Sequence, residues 1–330
     1  MGDRLALDLQ EISHDPTSLS QSGFWAVTTS FEGEWTCARF GRVVEAPFPS
    51  ERRKWTGITG EWFSTFSETE YVRYVESIRD TIAQGIVYQV NACRELSAPF
   101  DQQSLAGLMS EMLKSNPAPF ASYLRLPGIE IASASPELFL QLADGEVVSG
   151  PIKGTKALNV TGLDFGSKDV AENIMIVDLI RNDFGRICET GSISVPHLLQ
   201  SQNHPGLSHL VSFVSGRLRE SLTWSEISAA IFPPGSVSGA PKLSAVATIK
   251  EHEARDRGPY CGALGWVEGA SALLSVAIRI FWTNRDGIIR FGTGAGITWG
   301  SDAQQEWYET ELKAARLLSI ARGESQVSNR

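Results

Sequence analysis

Lys153 lies in the pentapeptide Pro151-Ile152-Lys153-Gly154-Thr155, between a residue that stiffens the backbone and one that frees it. Proline fixes its own φ and glycine accepts a positive φ, so the lysine has a rigid approach and a permissive exit, and its amine can be aimed. An aimed lysine that has lost its proton is a nucleophile. The alternative is a solvated lysine in a turn, and only the rest of the chain decides between the two.

Two pairs of carboxylates stand three residues apart in segments that we expect to be helical, Asp169 with Glu172 and Glu306 with Glu309. A spacing of three places both members of a pair on one face of a helix. Two such faces turned toward one another would supply four hard oxygen donors, the environment that Mg²⁺ prefers. The alternative is a solvated stripe on each helix, with Glu309 paired to Lys313 one turn later.

Arg279 interrupts an otherwise apolar segment, Leu273 to Trp282, that we predict to be one strand. An arginine is costly to bury unpaired. Arg279 is therefore expected either to bind a buried ligand carboxylate through two hydrogen bonds or to form a structural salt bridge. Residues 292–296 form a glycine loop after a strand, and its amides could hold an anion such as a substrate carboxylate, or could simply turn a hairpin. The loop Pro234 to Lys242 could also bind an anion, but it lacks the spacing of a nucleotide-binding loop.

Hydrophobic periodicity and turn residues predict the elements that must position these side chains. Helices are predicted over Ser67–Gln84, Ser104–Lys114, Ser167–Phe184, Trp224–Ile231, a segment ending near His252, and Asp302–Ala321, the last capped by Ser301 with Gln304. Strands are predicted over Ile86–Glu95, Ala121–Leu126, Glu130–Ala134, Glu137–Leu142 and Val147–Pro151, with short strands and turns before residue 60. Because strands and helices mix without strict βαβ alternation, the fold class is α+β.

The composition is that of a globular enzyme, with 330 residues, 42% of them hydrophobic and 20% charged. A net charge of -9 disfavours nucleic acid and anionic membranes as partners. We expect no membrane span, because no run of eighteen apolar residues occurs, and no signal peptide. The four cysteines show no metal spacing, which is typical of reduced thiols and predicts a cytoplasmic location. They are Cys37, Cys93, Cys188 and Cys261.

A series of motifs in fixed order resembles the chorismate-utilising enzymes, from about Glu68 to the end of the last predicted helix. The motifs are VYQVN (87–91), NPAPF (116–120), SPELF (135–139), PIKGT (151–155), AENIMIVDLIRND (171–183), HLVS (209–212), GSVSGAPK (235–242) and GAGI (294–297). The resemblance implies a single large chorismate-binding fold, with two layered antiparallel sheets flanked by helices. It also implies a shortened, strand-rich segment at residues 1–66, packed on a catalytic domain at residues 67–330.

Two positions make the resemblance strongest to the family branch called aminodeoxychorismate synthase component I. Relatives that add water to chorismate carry a lysine base where this chain has Gln89, and anthranilate synthases usually carry alanine where it has Lys153. The resemblance implies that Lys153 attacks C2 of chorismate while the 4-hydroxyl leaves, after which ammonia enters C4 and forms 4-amino-4-deoxychorismate, a folate precursor. Glu137 would be the acid and base that handles the departing hydroxyl.

The resemblance also carries over a binding site position by position. Glu172 and Glu309 would bind Mg²⁺, with Asp169 and Glu306 beside them directly or through water. The implied substrate contacts are Thr155, His209, Tyr260, Arg279, Gly294, Ala295 and Gly296. No glutaminase motif with a nucleophilic cysteine occurs, so ammonia would come from glutamine through a separate amidotransferase subunit, component II.

Two other functions fit parts of the sequence. One is an anthranilate-forming lyase in which Lys153 is incidental, and the other is a non-catalytic subunit that only binds an amidotransferase. Retention of Lys153, Glu137 and both carboxylate pairs disfavours the second.

Overall fold

The computed structural model describes residues 3–49, 54–101, 104–157, 165–204 and 207–324. Within them six α-helices form, at Glu68–Ala83 (α1), Ala106–Ser115 (α2), Ser167–Gly185 (α3), Trp224–Ile231 (α4), Lys242–His252 (α5) and Ala303–Ala321 (α6). The strands before α3 are Arg4–Ser13 (β1), Phe24–Thr29 (β2), Trp35–Glu45 (β3), Phe63–Ser64 (β4), Gln89–Pro99 (β5), Phe120–Leu126 (β6), Ile129–Ser135 (β7), Leu138–Ala143 (β8), Glu146–Gly150 (β9) and Ile152–Ala157 (β10). Those after α3 are Ser194–His204 (β11), Leu207–Arg217 (β12), Gly239–Ala240 (β13), Ala263–Glu268 (β14), Ser271–Val276 (β15), Ile280–Thr283 (β16) and Ile288–Ile297 (β17).

The strands form two antiparallel sheets, which confirms the predicted α+β class. The larger sheet has ten strands in the order β1-β3-β2-β14-β15-β8-β9-β12-β10, with β11 paired to β12. The smaller sheet has seven strands in the order β13-β5-β17-β16-β7-β6, with β4 paired to β5. The strands before residue 46 belong to the larger sheet through the pairing of β2 with β14.

Local capping explains where the long helices begin. The predicted capping box of α1 is present, because Ser67 accepts from the backbone of Glu70 and Glu70 accepts from the backbone of Ser67. The predicted cap of α6 is wrong. Asp302, not Ser301, caps this helix by accepting from the N–H of Gln305, whereas the Ser301 hydroxyl accepts from the backbone N–H of Thr298. A carboxylate at this position also meets the positive end of the helix dipole.

Two predictions about strands are corrected by the structure. The long strands β11 and β12 were not predicted, because Ser194–His204 is largely polar and shows no clean alternation. The segment predicted as one strand from Leu273 to Trp282 is two strands, β15 in the larger sheet and β16 in the smaller one. Between them Arg279 adopts a φ of 54°, which breaks the extended backbone as the chain crosses from one sheet to the other.

The chain also passes from one sheet to the other between β7 and β8, at Pro136 and Glu137. This crossing and the one at Arg279 are held together, since the Ser135 hydroxyl donates to the Val276 carbonyl at 2.6 Å. The Val276 N–H in turn donates to the Glu137 carbonyl at 3.1 Å. Glu137 and Arg279 are therefore brought together by the points at which the two sheets exchange chain.

Two apolar clusters hold the layers together. The larger includes Val90 and Ala295 from the smaller sheet together with Leu264 and Val276 from the larger sheet. The smaller packs α2 and α6 on the seven-stranded sheet. In the part of the chain that the structure describes, no helix is both long and apolar enough to cross a membrane.

Candidate active site

Lys153 lies in β10 with a side chain that is 14% exposed. Its Nζ donates to the Ser236 carbonyl at 3.1 Å and lies 3.8 Å from Oε2 of Glu172. The lysine is therefore held between two other elements, and the alternative of a solvated turn lysine does not describe it.

Glu137 is 4% exposed at the crossing from β7 to β8. Burial raises the pKa of its carboxyl to about 7, and interactions with the Ser236 hydroxyl, the Lys153 ammonium and the Arg279 guanidinium only partly offset this rise. A carboxyl with such a pKa exchanges its proton near neutral pH, as a general acid or base must.

Ser236 is a site residue that the sequence reasoning missed. Its carbonyl accepts from Lys153, and its hydroxyl interacts with Glu137. The loop that carries it, Pro234 to Lys242, was predicted to offer amides to an anion. In the structure this loop instead links the lysine to the carboxyl. The only sequence signal for Ser236 was its place within GSVSGAPK.

An ion pair anchors this loop. The Nζ of Lys242, at the start of α5, lies 2.6 Å from Oδ2 of Asp183 near the end of α3 and donates to the Ile231 carbonyl at 2.8 Å. Both charged side chains are about one-tenth exposed. Burial raises the pKa of Asp183 to about 6 despite the nearby ammonium. The loop is therefore fixed at its far end by a contact that is costly to break.

Arg279 has no carboxylate within 4 Å among the described residues, so the structural salt bridge is not found there. Burial lowers the pKa of its guanidinium, and the charge of Glu137 raises it in part. A half-buried guanidinium in this position suits the carboxylate of a ligand.

Residues 292–296 are not a loop, because they form the interior of β17, paired with β5. The Gly294 carbonyl accepts from Lys313 Nζ at 3.0 Å, so it points away from β5. In a strand the N–H and C=O of one residue share an edge, and residues two apart share it as well. The amides of Gly294 and Gly296 therefore face the edge that Lys313 reaches, while Ala295 is buried in the larger apolar cluster.

Three further predicted substrate contacts lie around these groups. Thr155 in β10 stands directly opposite His209 in β12, and His209 is 2% exposed. The side chain of Thr155 lies outside the described residues. The ring of Tyr260 is buried against β17, where a Cβ at Gly292 would lie 2.2 Å from it. Glycine at 292 therefore makes room for this tyrosine.

Glu172 on α3 and Glu306 on α6 face one another across Lys168. The Lys168 ammonium lies 2.5 Å from Oε1 of Glu306 and 3.9 Å from Oε1 of Glu172. Both carboxylates are buried, and burial raises the pKa of Glu172. The structure thus brings two of the four predicted ligands to one place, with a positive charge between them.

The other two predicted ligands are placed differently. Glu309 is 43% exposed and pairs with Lys313 at 2.6 Å, as the sequence left open. Burial raises the pKa of Glu309, but the ammonium groups of Lys313 and Lys168 outweigh it and lower the value. Asp169 lies against Gly154, where a Cβ would come within 3.1 Å of its side chain.

The oxygen donors around Lys168 do not form a complete metal site in the described residues. No group of three or more His, Cys, Asp or Glu side chains is assembled for metal binding in the described residues. However, Oε2 of Glu306 and Oε1 of Gln89 are buried and have no hydrogen-bond partner among the residues that the structure describes. Nε2 of the same Gln89 lies 3.4 Å from Oε2 of Glu172. A Cβ at Gly296 would come within 2.5 Å of Gln89 Nε2 and 3.2 Å of Glu172 Oε2. Unpaired oxygens beside bare backbone fit a hard cation.

The chain belongs to the chorismate binding enzyme family, which it matches over residues 26–319. It is 35% identical over 271 residues to "Aminodeoxychorismate synthase component 1" of Klebsiella aerogenes, covering 79% of this chain and 60% of that protein. It is 34% identical over 271 residues to "Anthranilate synthase component 1" of Neisseria meningitidis serogroup C, covering 79% of this chain and 55% of that one. The chain thus spans somewhat more than half the length of these relatives.

Solved structures show the same fold. Anthranilate synthase component I from Streptococcus pneumoniae superposes with a TM-score of 0.81 at 23% identity, covering 96% of this chain and 91% of that one. A putative isochorismate synthase specific for 2,3-dihydroxybenzoate, from Bacillus anthracis, superposes with a TM-score of 0.79 at 20% identity, covering 96% and 93%. At these identities the likeness establishes the fold.

Proposed function

We propose that this chain converts chorismate and ammonia to 4-amino-4-deoxychorismate, with Lys153 as a covalent nucleophile. The observation that supports this most is the placement of Lys153, whose buried amine is held by the Ser236 carbonyl beside Glu137 and Glu172. A buried amine near a carboxyl with a pKa of about 7 would combine a nucleophile with a proton donor.

In the first step the neutral amine of Lys153 forms a bond to C2 of the ring. Both conjugated double bonds of the ring shift, the bond from C4 to its hydroxyl oxygen breaks, and the Glu137 carboxyl gives the leaving oxygen a proton so that it departs as water. In the second step ammonia forms a bond to C4, both double bonds return to their original positions, and the bond between C2 and Nζ breaks. One difficult substitution is thereby divided into two allylic displacements.

Binding of the substrate falls to groups of opposite charge. The Arg279 guanidinium suits one carboxylate of chorismate, and the amides of Gly294 and Gly296 can donate to the other. Mg²⁺, when bound, would neutralise the ring carboxylate, and Glu172 and Glu306 would hold it, joined by Glu309 and Asp169. Lys168 would then give up its place between Glu172 and Glu306.

Formation of anthranilate and pyruvate is the second candidate, because curated relatives with that name are nearly as similar to this chain. In this reaction ammonia would attack C2 directly and Lys153 would have no covalent role. We favour amination at C4 because Lys153, held between Ser236 and Glu172, supplies an enzyme amine that could take the place of ammonia at C2.

The test is product analysis with chorismate, ammonium and Mg²⁺. We expect 4-amino-4-deoxychorismate, which keeps its enolpyruvyl group, and no release of pyruvate. Fluorescent anthranilate formed together with pyruvate would establish the second candidate. If the chain does not turn over chorismate with ammonium, both reactions are rejected, and a non-catalytic subunit that binds an amidotransferase remains. In the cell the ammonia would come from a separate glutamine amidotransferase subunit in the cytoplasm.

A further inference from the structure

Cys93 and Cys261 are two thiols in contact across the interface of the two sheets. Their sulfur atoms lie 4.0 Å apart, although the residues are far apart in sequence. Cys93 belongs to β5 in the smaller sheet, and Cys261 lies just before β14 in the larger one. A disulfide requires a sulfur separation of about 2.05 Å, so an approach of roughly 2 Å would join the sheets covalently.

The two thiols differ in access. A cavity of about 350 Å³ opens beside Cys93 and is lined by this residue with Arg257 and Tyr260. Cys261 is completely buried behind it and is absent from the cavity wall. A small polar oxidant that enters the cavity would therefore meet Cys93 first.

The surroundings of Cys93 favour its thiolate. The Asn91 side-chain amide donates to its sulfur at 3.1 Å, and the Tyr260 hydroxyl lies 3.9 Å from it. Burial raises the pKa of the Cys93 thiol, but its contact with Cys261 and the charge of Arg257 outweigh this and lower the value. Burial instead raises the pKa of Cys37 to about 12 and that of Cys188 to about 11.

Cys93 also lies directly behind the glycine strand of the candidate site. It stands opposite Gly294 in the pairing of β5 with β17, and a Cβ at Gly294 would lie 2.7 Å from its sulfur. Cys261 follows Tyr260 immediately in sequence. Movement of either sulfur would therefore displace Tyr260 or the backbone at Gly294.

We propose that Cys93 and Cys261 form a hydroperoxide-reactive dithiol, and that their disulfide impairs the substrate site at Tyr260 and Gly294. The Cys93 thiolate attacks one peroxide oxygen, so a sulfur–oxygen bond forms, the oxygen–oxygen bond breaks, and one water leaves after protonation. The Cys261 sulfur then attacks the Cys93 sulfenic acid, so the disulfide forms and a second water leaves. Two thiols are oxidised and one peroxide is reduced to two waters. The effect on substrate, but not the thiol chemistry, rests on the function proposed above.

The test treats the full chain with limiting hydrogen peroxide, alkylates the remaining thiols under denaturing conditions, and maps the cysteines by mass spectrometry. We expect one disulfide between Cys93 and Cys261, the loss of two hydrogen atoms, and alkylation of Cys37 and Cys188. Cys261→Ser should stop at a sulfenic acid on Cys93 that dimedone traps. Cys188→Ser is the matched control and should form the same disulfide as the unmodified chain.

Four alkylated thiols after peroxide, or oxidation confined to Cys37 or Cys188, would overturn the dithiol whatever reaction the enzyme catalyses. In the oxidised form, turnover of chorismate should fall in step with the fraction of disulfide and return with dithiothreitol. A disulfide that leaves chorismate binding and turnover unchanged would overturn the coupling to the substrate site. The mapping needs no turnover, so failure of the proposed function cannot be mistaken for failure of the dithiol.

Discussion

The two side chains that we propose as nucleophile and acid share one contact residue. Lys153 reaches the carbonyl of Ser236, and the hydroxyl of the same serine interacts with Glu137. The carbonyl accepts a hydrogen bond from the amine and does not engage the nitrogen lone pair, so the contact orients the amine and leaves the lone pair free. The serine thus holds the two groups that we propose to react in a fixed relation, and such positioning lowers the entropic part of the barrier.

Lys153→Arg tests the covalent role. A guanidinium stays protonated and cannot form the bond to C2, although it keeps the positive charge. We expect the variant to form no 4-amino-4-deoxychorismate. When ammonia is left out, the unmodified chain should form a covalent adduct with chorismate and Mg²⁺ that is visible in its intact mass, and the variant should not. Near-normal product from the variant would show that Lys153 acts only through its charge.

Glu137 should give the reaction a pH dependence on the alkaline side. Its pKa is about 7, and the protonated carboxyl is the form that can donate to the leaving oxygen, so this form is lost as the pH rises through that value. At a fixed concentration of free ammonia, kcat/KM for chorismate should therefore fall above about pH 7. Glu137→Gln should lower the rate by about 10²- to 10⁴-fold and remove this fall.

Ser236→Ala separates the two contacts of the serine. The substitution removes the hydroxyl and leaves the carbonyl that holds Lys153. Because the hydroxyl lowers the pKa of Glu137, its removal should raise that pKa. The fall in kcat/KM should then move to higher pH. Ser238→Ala is the control, because this buried hydroxyl in the same loop donates to the Pro234 carbonyl instead. An equal pH shift in both variants would indicate a general disturbance of the loop.

At the scale of the elements, the position of Ser236 depends on the junction of α3 with α5. Lys242→Met should destabilise the fold by about 3–5 kcal/mol, because it leaves Asp183 buried without its cation. Burial already raises the folded-state pKa of Asp183 to about 6, and loss of the ammonium raises it further. An acid whose folded pKa exceeds its unfolded value loses stability as pH rises, so the deficit should be larger at pH 8 than at pH 5.

Denaturant unfolding at the two pH values measures this deficit. The double variant Lys242→Met with Asp183→Asn should recover part of it, since no buried charge is then left unpaired. Equal deficits at both pH values would show that the ammonium does not control Asp183.

The opposed helices α3 and α6 carry the carboxylates that we propose for the metal. Glu172→Ala should weaken Mg²⁺ binding measured by calorimetry and abolish turnover, while the fold persists because one member of a group of like charges is removed. Asp178→Ala on the same helix is the matched control, since its carboxylate is exposed and pairs with Arg181. Unchanged Mg²⁺ affinity in Glu172→Ala would refute the assignment.

The elements that could be predicted from sequence are those whose information is local. The capping box at Ser67 and the apolar stripe of α1 specify that helix without reference to the rest of the chain. The break at Arg279 could not be predicted, because the apolar pattern runs through Ala277 and Ile278 and the turn exists only where the two sheets separate. Likewise, no periodicity reports that the polar strand β11 pairs with β12.

The candidate site shows the same division. The residue types at Lys153, Glu137 and Glu172 indicated chemistry, and the structure brings these three together. The role of Ser236 is carried by a backbone carbonyl, which every residue has, so sequence alone could not identify it. The contact of Lys168 with both Glu172 and Glu306 is likewise a tertiary pairing.

At the scale of the whole molecule, the site is assembled where the two sheets exchange chain. Glu137 and Arg279 lie at two of the points where the chain passes between the sheets, Lys153 comes from the larger sheet, and Gly294 comes from the smaller one. A residue at such a crossing is held by contacts with both sheets. The packing of the two sheets on each other therefore limits how far these side chains can move. This arrangement also explains why a covalent link between Cys93 and Cys261 would be felt at the site, since it would join the same two layers.

The source of nitrogen is a property of the whole chain. Its four cysteines are all buried in the structure, and no glutaminase motif surrounds any of them. We therefore expect the purified chain to aminate chorismate with ammonium salts. The rate should rise on the alkaline side of neutrality, where free ammonia increases, until the loss of the proton from Glu137 becomes limiting. Glutamine should support turnover only after a separate amidotransferase subunit is added.

The measurement is product formation with each nitrogen source at matched pH and chorismate concentration. Glutamine-dependent turnover by the purified chain alone would refute this prediction without affecting the roles proposed for Lys153 and Glu137, because both would act on the chorismate ring whatever the origin of the ammonia.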